Sequence, residues 1–173
     1  MPAHRRNTRL SPVRYRGHQS YFLTVCTDHR LPHLATQCVA ENVQRILLEC
    51  ALKHLFLLHA FCVMPDHVHI FAAGTADTSD ALEFIHLFKQ RTAFEFRRTN
   101  KVRLWEKSYY DYILRPGDSV ETIACYLWWN PVRKNLCTEP SDFAFSGSQT
   151  IDYIRRSAKV DPWTPPWKST APA

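Results

Sequence analysis

Glycine, long apolar runs and closely spaced cysteines are scarce or absent in this 173-residue chain, which has only four glycines. Its apolar stretches reach about ten residues, well short of the roughly 20 that a membrane-spanning helix needs. No GxxxxGK[ST] loop occurs, so no nucleotide energy source is indicated. Six scattered cysteines without a CxxC pair argue against a disulfide framework or zinc knuckle and favour buried thiols. No apolar segment follows the Arg-rich N-terminus, so we expect no secretory signal and predict a cytoplasmic protein without a membrane partner.

Acidic residues are also missing from the first 17 positions, and the chain as a whole carries a net charge of +6. Such a balance indicates a polyanionic partner. The candidate DNA-binding side chains form an N-terminal group and a second cluster: Arg5, Arg6, Arg9, Arg14 and Arg16, then Lys89, Arg91, Arg97, Arg98 and Lys101. Charge alone fits a disordered arm and a solvated helix face equally well.

The hydrophobic pattern predicts alternating strands and helices. We expect strands over 21–27, 58–64, 67–73 and 104–115, and helices over 38–57, 80–100 and 119–130. Capping boxes are expected at Asp80 with Glu83 and at Asp118 with Glu121, and Pro131 should end or kink the last helix.

This order of elements predicts an α+β fold of the split βαβ kind, ferredoxin-like or RRM-like. Its antiparallel sheet would carry helices on one face, with an added C-terminal helix and an irregular tail. The open sheet face is a common place for single-stranded nucleic acid. The predicted organisation is a basic arm (1–18), one domain (19–136) and the tail (137–173).

His67-Val68-His69 is the strongest local feature for chemistry. Side chains two apart on a strand project from the same face, so both imidazoles would point one way and Val68 the other. Two adjacent imidazoles can supply two of the ligands of a divalent metal site. Two ligands do not complete one, and a pair of histidines on a polar face remains an alternative.

Tyr126 and Asn130 lie four residues apart on the last predicted helix, so they share a face. An amide oxygen suits Mg²⁺ or Mn²⁺, and a tyrosine hydroxyl can act as a covalent nucleophile. The spacing also fits a core helix in which Tyr126 packs and Asn130 caps the C-terminus.

Three segments, in order along the chain, resemble the motifs of single-tyrosine transposases. Residues 62–70 (CVMPDHVHI) are similar to the HUH motif of that family. Residues 104–115 (LWEKSYYDYILR) look like its Trp-x-x-x-Tyr/Phe-x-Asp-x-x-Ile-Arg block. Residues 123–133 (IACYLWWNPVR) look like the Tyr-Ile-x-x-Asn-Pro-Val block, typical of the REP-associated tyrosine transposases. One departure follows: Lys134-Asn135-Leu136 replaces Ala-Gly-Leu, which puts the local turn in doubt.

The resemblance implies that His67 and His69 are metal ligands, that Asn130 is the third ligand and that Tyr126 is the nucleophile. The cofactor would be Mg²⁺ or Mn²⁺. Tyr109, Tyr110 and Tyr112 are weaker candidates because none has a candidate ligand placed as Asn130 is. The implied reaction cleaves and rejoins single-stranded DNA beside a hairpin of a repetitive extragenic palindrome (REP), through a 5′-phosphotyrosine link. The implied enzyme is a monomer rather than a homodimer.

Two other functions remain open at this point. A non-catalytic single-stranded nucleic-acid-binding module could keep the same fold. A replication initiator or relaxase of the wider HUH group should carry a helicase or primase extension or a second tyrosine in the motif helix, and this sequence shows neither.

Overall fold

The computed structural model describes residues 11–152 and 163–165. Short 3-10 turns accompany the helices and strands, whose bounds are β1 (Ser20–Cys26), α1 (Gln37–Lys53), β2 (Phe56–Met64), β3 (His67–Gly74), α2 (Ala81–Arg97), β4 (Tyr110–Ile113), α3 (Val120–Trp128), α4 (Asn130–Arg133) and β5 (Ser146–Gly147). No helix among these residues is both long and apolar enough to cross a membrane.

The strands form one antiparallel sheet in the order β4-β1-β3-β2-β5. Its first four strands have the order of the split βαβ arrangement, so the predicted α+β fold is confirmed. β2 and β3 are joined by the turn at Pro65-Asp66, as the sequence predicts. β3 lies between β1 and β2, so both of its edges are hydrogen-bonded to neighbouring strands.

One face of the sheet packs against α1 and α2. Alternate residues of the central strands enter this core, including Leu23 and Val25 of β1 and Val68 and Ile70 of β3. The two helices contribute their apolar stripes, and Phe84 of α2 stacks on Phe56 with ring centroids 5.0 Å apart. Burial of this face is the main source of stability because apolar area leaves water here.

The other face carries α3, which corrects the expectation that this face is open. Phe22, Ala60 and Phe71 of the sheet are buried against Ile123, Leu127 and neighbouring residues of α3. The helix packs here because its residues are apolar on most sides and need a second layer to cover them.

The helix ends differ from the sequence expectations in two places. α1 ends at Lys53 rather than near 57, because Leu55 adopts a left-handed backbone with φ 59° that turns the chain into β2. Ser119, not Asp118, caps α3 by accepting a hydrogen bond from the Thr122 N–H. Asp118 instead accepts hydrogen bonds from the Tyr112 hydroxyl and the Arg115 N–H.

Asp80 is the N-cap of α2 and accepts hydrogen bonds from the backbone N–H groups of Leu82 and Glu83, which is the Asp80 part of the predicted capping box. Pro131 interrupts the last helix as predicted, dividing it into α3 and α4. Asn135 takes a left-handed backbone with φ 56° where the family pattern has glycine. Asparagine tolerates this region better than most residues, so the turn survives the substitution.

The predicted strand over 104–115 is too long. Only Tyr110–Ile113 pairs along β1, while Trp105 forms an isolated bridge with Thr27. Part of the expected irregular tail is ordered into the sheet, since Ser146 and Gly147 pair with Cys62 and Phe61 of β2.

Candidate active site

The two histidines of the HUH-like segment lie side by side on β3, on the sheet face that carries α3. His67 is opposite Cys26 on β1 and Met64 on β2, and His69 is opposite Thr24 and Cys62. Their Nε2 atoms are 3.1 Å apart, and both side chains are buried. Val68, between them, points into the core on the other face. The predicted geometry of the His-x-His triplet is therefore confirmed.

Hydrogen-bond partners hold the outer nitrogen of each ring. The Asp66 carboxylate lies 2.6 Å from Nδ1 of His67, and the Thr24 hydroxyl lies 2.9 Å from Nδ1 of His69. A ring that donates from Nδ1 to its partner presents a lone pair at Nε2. In that tautomer both lone pairs face each other, an arrangement that a shared cation would stabilise.

Asp66 is held ionised beside these rings. The hydrogen bond from His67 is the largest cause that lowers the pKa of this carboxyl, and the charge of Arg30 acts in the same direction. The Arg30 guanidinium is 3.6 Å from the carboxylate. A carboxylate behind a histidine fixes the tautomer and increases the basicity of the nitrogen that faces a metal.

Tyr126 projects from α3 onto the same face as the histidines. Its ring lies 6.3 Å from that of Phe22, centroid to centroid, and Phe22 lies 5.4 Å from the His69 ring. Phe22 therefore links the phenol to the imidazole pair. The Trp163 ring packs against the rings of both Tyr126 and Phe22, with ring centroids 5.0 and 5.4 Å apart.

Arg133 is a part of this site that the sequence analysis did not identify. Its Nη2 donates to the Tyr126 carbonyl oxygen at 2.7 Å, and its guanidinium carbon is 4.4 Å from the Tyr126 ring centroid. Partial desolvation lowers the pKa of Arg133, although the residue is exposed. The sequence did contain a signal for this residue, because a basic side chain follows the predicted tyrosine nucleophile within two helical turns.

Asn130 is the first residue of α4, one helical turn beyond Tyr126, and it is only 7% exposed. Within residues 11–152 and 163–165, no group of three or more His, Cys, Asp or Glu side chains could hold a metal ion. A third protein ligand beside the two histidines would therefore come from another residue type. The amide oxygen of Asn130 is chemically suitable, because Mg²⁺ and Mn²⁺ bind oxygen ligands.

The alternative tyrosines differ from Tyr126 in their surroundings. Tyr110 and Tyr112 lie on β4, opposite Thr24 and Phe22 of β1. Burial, with a smaller contribution from Asp111, raises the pKa of Tyr110 to about 12. Burial and the hydrogen bond to Asp118 raise the pKa of Tyr112. Tyr109 instead packs against the core on the α1 and α2 side. For Tyr110 and Tyr112, the raised pKa makes the phenol harder to ionise and so a poorer nucleophile.

Several of the predicted DNA-binding side chains are engaged within the protein. Lys89 donates to the carbonyl oxygens of Glu106 and Lys107 at 2.9 and 3.1 Å, and Arg91 pairs with Glu49 on α1. Both belong to α2, which packs on the face opposite the histidines.

The other predicted DNA contacts are more exposed. Arg16 pairs with Asp80, and Arg98 pairs with Glu95. Arg14, Arg97 and Lys101 are exposed. Arg5, Arg6 and Arg9 lie outside the described residues. Nucleic-acid contact by these ten residues stays a prediction.

Comparison with known proteins places these features in a family. Residues 17–128 match the family described as "Transposase IS200 like". A Haemophilus influenzae protein described as a REP-associated tyrosine transposase is 22% identical over an aligned length of 158, and the match covers 85% of this chain and 86% of that protein.

Two solved structures are similar in fold. One is a REP-associated tyrosine transposase bound to a REP hairpin, with a TM-score of 0.65, 20% identity and coverage of 84% of this chain and 82% of that one. The other is a Deinococcus radiodurans crystal structure described as a transposase, with a TM-score of 0.50, 25% identity and coverage of 58% and 82%. The matched segment holds the paired histidines and Tyr126, and the chain belongs to the IS200-like transposase family, enzymes that nick and join DNA.

Proposed function

We propose that this transposase cleaves and rejoins single-stranded DNA beside REP hairpins, with Tyr126 as the nucleophile and a divalent cation held by His67, His69 and Asn130. One observation carries the proposal: the paired imidazoles and the Tyr126 ring share a face of the sheet, and the rings of His69 and Tyr126 both contact Phe22. A phenol on that face can reach a phosphate held by the same cation.

The residues present fit Mg²⁺ or Mn²⁺. Ligands about 2.1 Å from an ion and at right angles to each other are about 3.0 Å apart, and the two Nε2 atoms are 3.1 Å apart. Asp66 and Thr24 supply the outer hydrogen bonds that a ligating histidine needs. When bound, the cation polarises the scissile phosphate and orients it.

The protein's own residues perform the covalent step. The Tyr126 oxygen attacks phosphorus in line and forms a phosphotyrosine bond to the 5′ phosphate of the strand downstream of the break. The bond between phosphorus and the 3′ oxygen breaks, the phenol proton passes to solvent, and the departing oxygen takes up a proton to become a 3′-hydroxyl. Attack by another 3′-hydroxyl reverses these steps and joins strands, so no nucleotide is consumed.

The proposed substrate comes from the relatives. A REP-associated transposase of the same fold binds a REP hairpin, and a second relative carries the same description. We propose a similar hairpin with a single-stranded flank here, bound by a monomer in the cytoplasm. The basic N-terminal residues would contact phosphates, which every DNA sequence presents.

The test uses a set of labelled hairpin oligonucleotides with varied single-stranded flanks, mixed with the full chain and Mn²⁺. We expect a protein–DNA band that survives denaturing electrophoresis. It should disappear in Tyr126→Phe and with a chelator, and persist in the matched control Tyr112→Phe. Hairpin binding by the wild-type chain without any such band would instead support a binding module and contradict the proposal.

A further inference from the structure

Tyr126 lies in the last turn of a helix that breaks just beyond it. α3 ends at Trp128 and α4 begins at Asn130. Pro131 has no N–H to donate to the Leu127 carbonyl four residues earlier, and its ring crowds that carbonyl, so the helix cannot continue regularly. Backbone hydrogen bonds alone hold the end of a helix less firmly than its middle. A nucleophile at this place needs support from elsewhere.

Arg133 supplies contacts across the break. Its Nη2 donates to the Tyr126 carbonyl oxygen at 2.7 Å, which fixes the backbone at that residue. Its guanidinium carbon lies 4.4 Å from the Tyr126 ring centroid, within the range of a cation–π contact. One side chain of α4 therefore contacts Tyr126 at both its backbone and its ring.

We infer that Arg133 is a positioning residue for Tyr126: it fixes the phenol ring on the histidine face so that the hydroxyl meets the scissile phosphate. The inference rests on the proposed role of Tyr126 as nucleophile. Arginine suits the task because its planar guanidinium stacks on a ring and donates in its own plane at the same time. The ammonium of lysine is compact and not planar, so it can donate a hydrogen bond but cannot also stack on the ring.

A direct contact with DNA phosphate is the competing role for an exposed cation beside the site. The observed contacts favour positioning, since Nη2 is directed to the backbone of Tyr126 and the guanidinium lies against its ring. The two roles differ in what they affect. Positioning acts on the rate at saturating DNA, whereas a phosphate contact acts mainly on DNA affinity.

The experiment compares Arg133→Gln and Arg133→Lys with the matched control Lys134→Gln. Lys134 is the next residue along the chain and is also exposed, so its variant removes the same charge at nearly the same place. Cleavage rate constants are measured in single turnover with Mn²⁺ and saturating hairpin oligonucleotide. DNA dissociation constants are measured by fluorescence anisotropy, and thermal melting checks the fold.

Arg133→Gln should lower the saturated rate constant about 10²-fold, the loss expected when a reacting group is displaced by about 1 Å. Its DNA dissociation constant should stay within about twofold of that of Lys134→Gln, because both variants lose one charge. Arg133→Lys should recover about tenfold of the lost rate, since it keeps a cation and a donor. A saturated rate within about twofold of the wild-type value, or a loss confined to DNA affinity, would overturn the inference.

A second measurement needs neither DNA nor metal. The seven tyrosines are replaced with 3-fluorotyrosine, and the ¹⁹F resonance of residue 126 is assigned by its absence in Tyr126→Phe. Arg133→Gln and Arg133→Lys should shift this resonance and Lys134→Gln should not. An unshifted resonance would contradict positioning. If no oligonucleotide forms an adduct with the wild-type chain, the proposed nucleophile fails, while the resonance still decides whether Arg133 fixes the ring.

Discussion

The two faces of the sheet are built from the same strands but differ in chemistry. On β3, Val68 and Ile70 point into the apolar core under α1 and α2, while His67 and His69 point to the face of α3. Both faces are buried, yet only one brings ionisable side chains together with the phenol of Tyr126.

This division separates stability from chemistry within a single strand. The apolar face supplies most of the hydrophobic free energy of folding, so the other face can hold two facing imidazoles that contribute little to it. Mutation of neighbouring residues on β3 should therefore affect different properties: stability on the apolar face and DNA cleavage on the other face. The following variants test that comparison.

The largest effect is expected from His69→Ala. Removing one of the two imidazoles should lower cleavage about 10³-fold or more, because a bound cation supplies several kcal/mol of transition-state stabilisation. Adduct formation and Mn²⁺ titration calorimetry measure the change, and thermal melting should show little loss of stability. Cleavage at the wild-type rate would show that the histidine pair is not part of the reaction.

Ile70→Ala changes the next residue along the strand, on the other face. We expect a loss of about 2–5 kcal/mol in the free energy of unfolding, because a buried side chain is truncated and leaves a cavity. Urea unfolding measures this loss. The folded protein should cleave DNA at the wild-type rate, and a parallel loss of rate would mean that the two faces are not separable.

Asp66→Asn should weaken Mn²⁺ binding about 10–100-fold, since the Asp66 carboxylate orients the His67 ring and fixes its tautomer through the hydrogen bond to Nδ1. Arg30→Gln is the matched control, because it removes the guanidinium 3.6 Å from the same carboxylate and leaves the hydrogen bond to His67. Calorimetric titration should separate the two variants. Equal affinities in Asp66→Asn and the wild-type protein would exclude this role for Asp66.

The smallest expected effect is on the pH dependence of stability, and one tyrosine on each face of the sheet contributes to it. Burial raises the pKa of Tyr21 on the apolar face and of Tyr110 on the other face to about 12, above the ordinary value of about 10. The folded state therefore holds these protons more tightly than the unfolded state. Their contribution to stability is complete below about pH 10 and is lost as the pH rises towards about 12.

Tyr21→Phe and Tyr110→Phe should each make the free energy of unfolding fall less steeply with pH above about 10. Urea unfolding at a series of alkaline pH values measures the slope. Slopes that match the wild-type slope in both variants would show that neither tyrosine has a raised pKa in the folded protein.

Local sequence rules predicted the parts of the fold that depend on local periodicity. The alternation of strand side chains placed His67 and His69 on one face, and the Asp80 cap located the start of α2. The two-residue strand at Ser146 was missed because a segment so short has no periodic signal. The strand near Trp105 was drawn too long because apolar composition does not reveal which residues pair.

Long-range contacts limited what the sequence could say about the site. The basic cluster of α2 did not reveal that Lys89 binds backbone carbonyls or that Arg91 pairs with Glu49 across two helices. In the same way, the placement of α3 on the second face decides that Phe22 lies between His69 and Tyr126. The spacing of residues along the chain does not indicate which distant residues come into contact.

Identification of the residue that carries DNA is the most direct test of this account. Protein is reacted with the hairpin oligonucleotide and Mn²⁺, digested, and the modified peptide is sequenced by tandem mass spectrometry. The account predicts a nucleotide attached through its 5′ phosphate to Tyr126. A nucleotide on Tyr109, Tyr110 or Tyr112, or cleaved DNA with no protein attached, would contradict it.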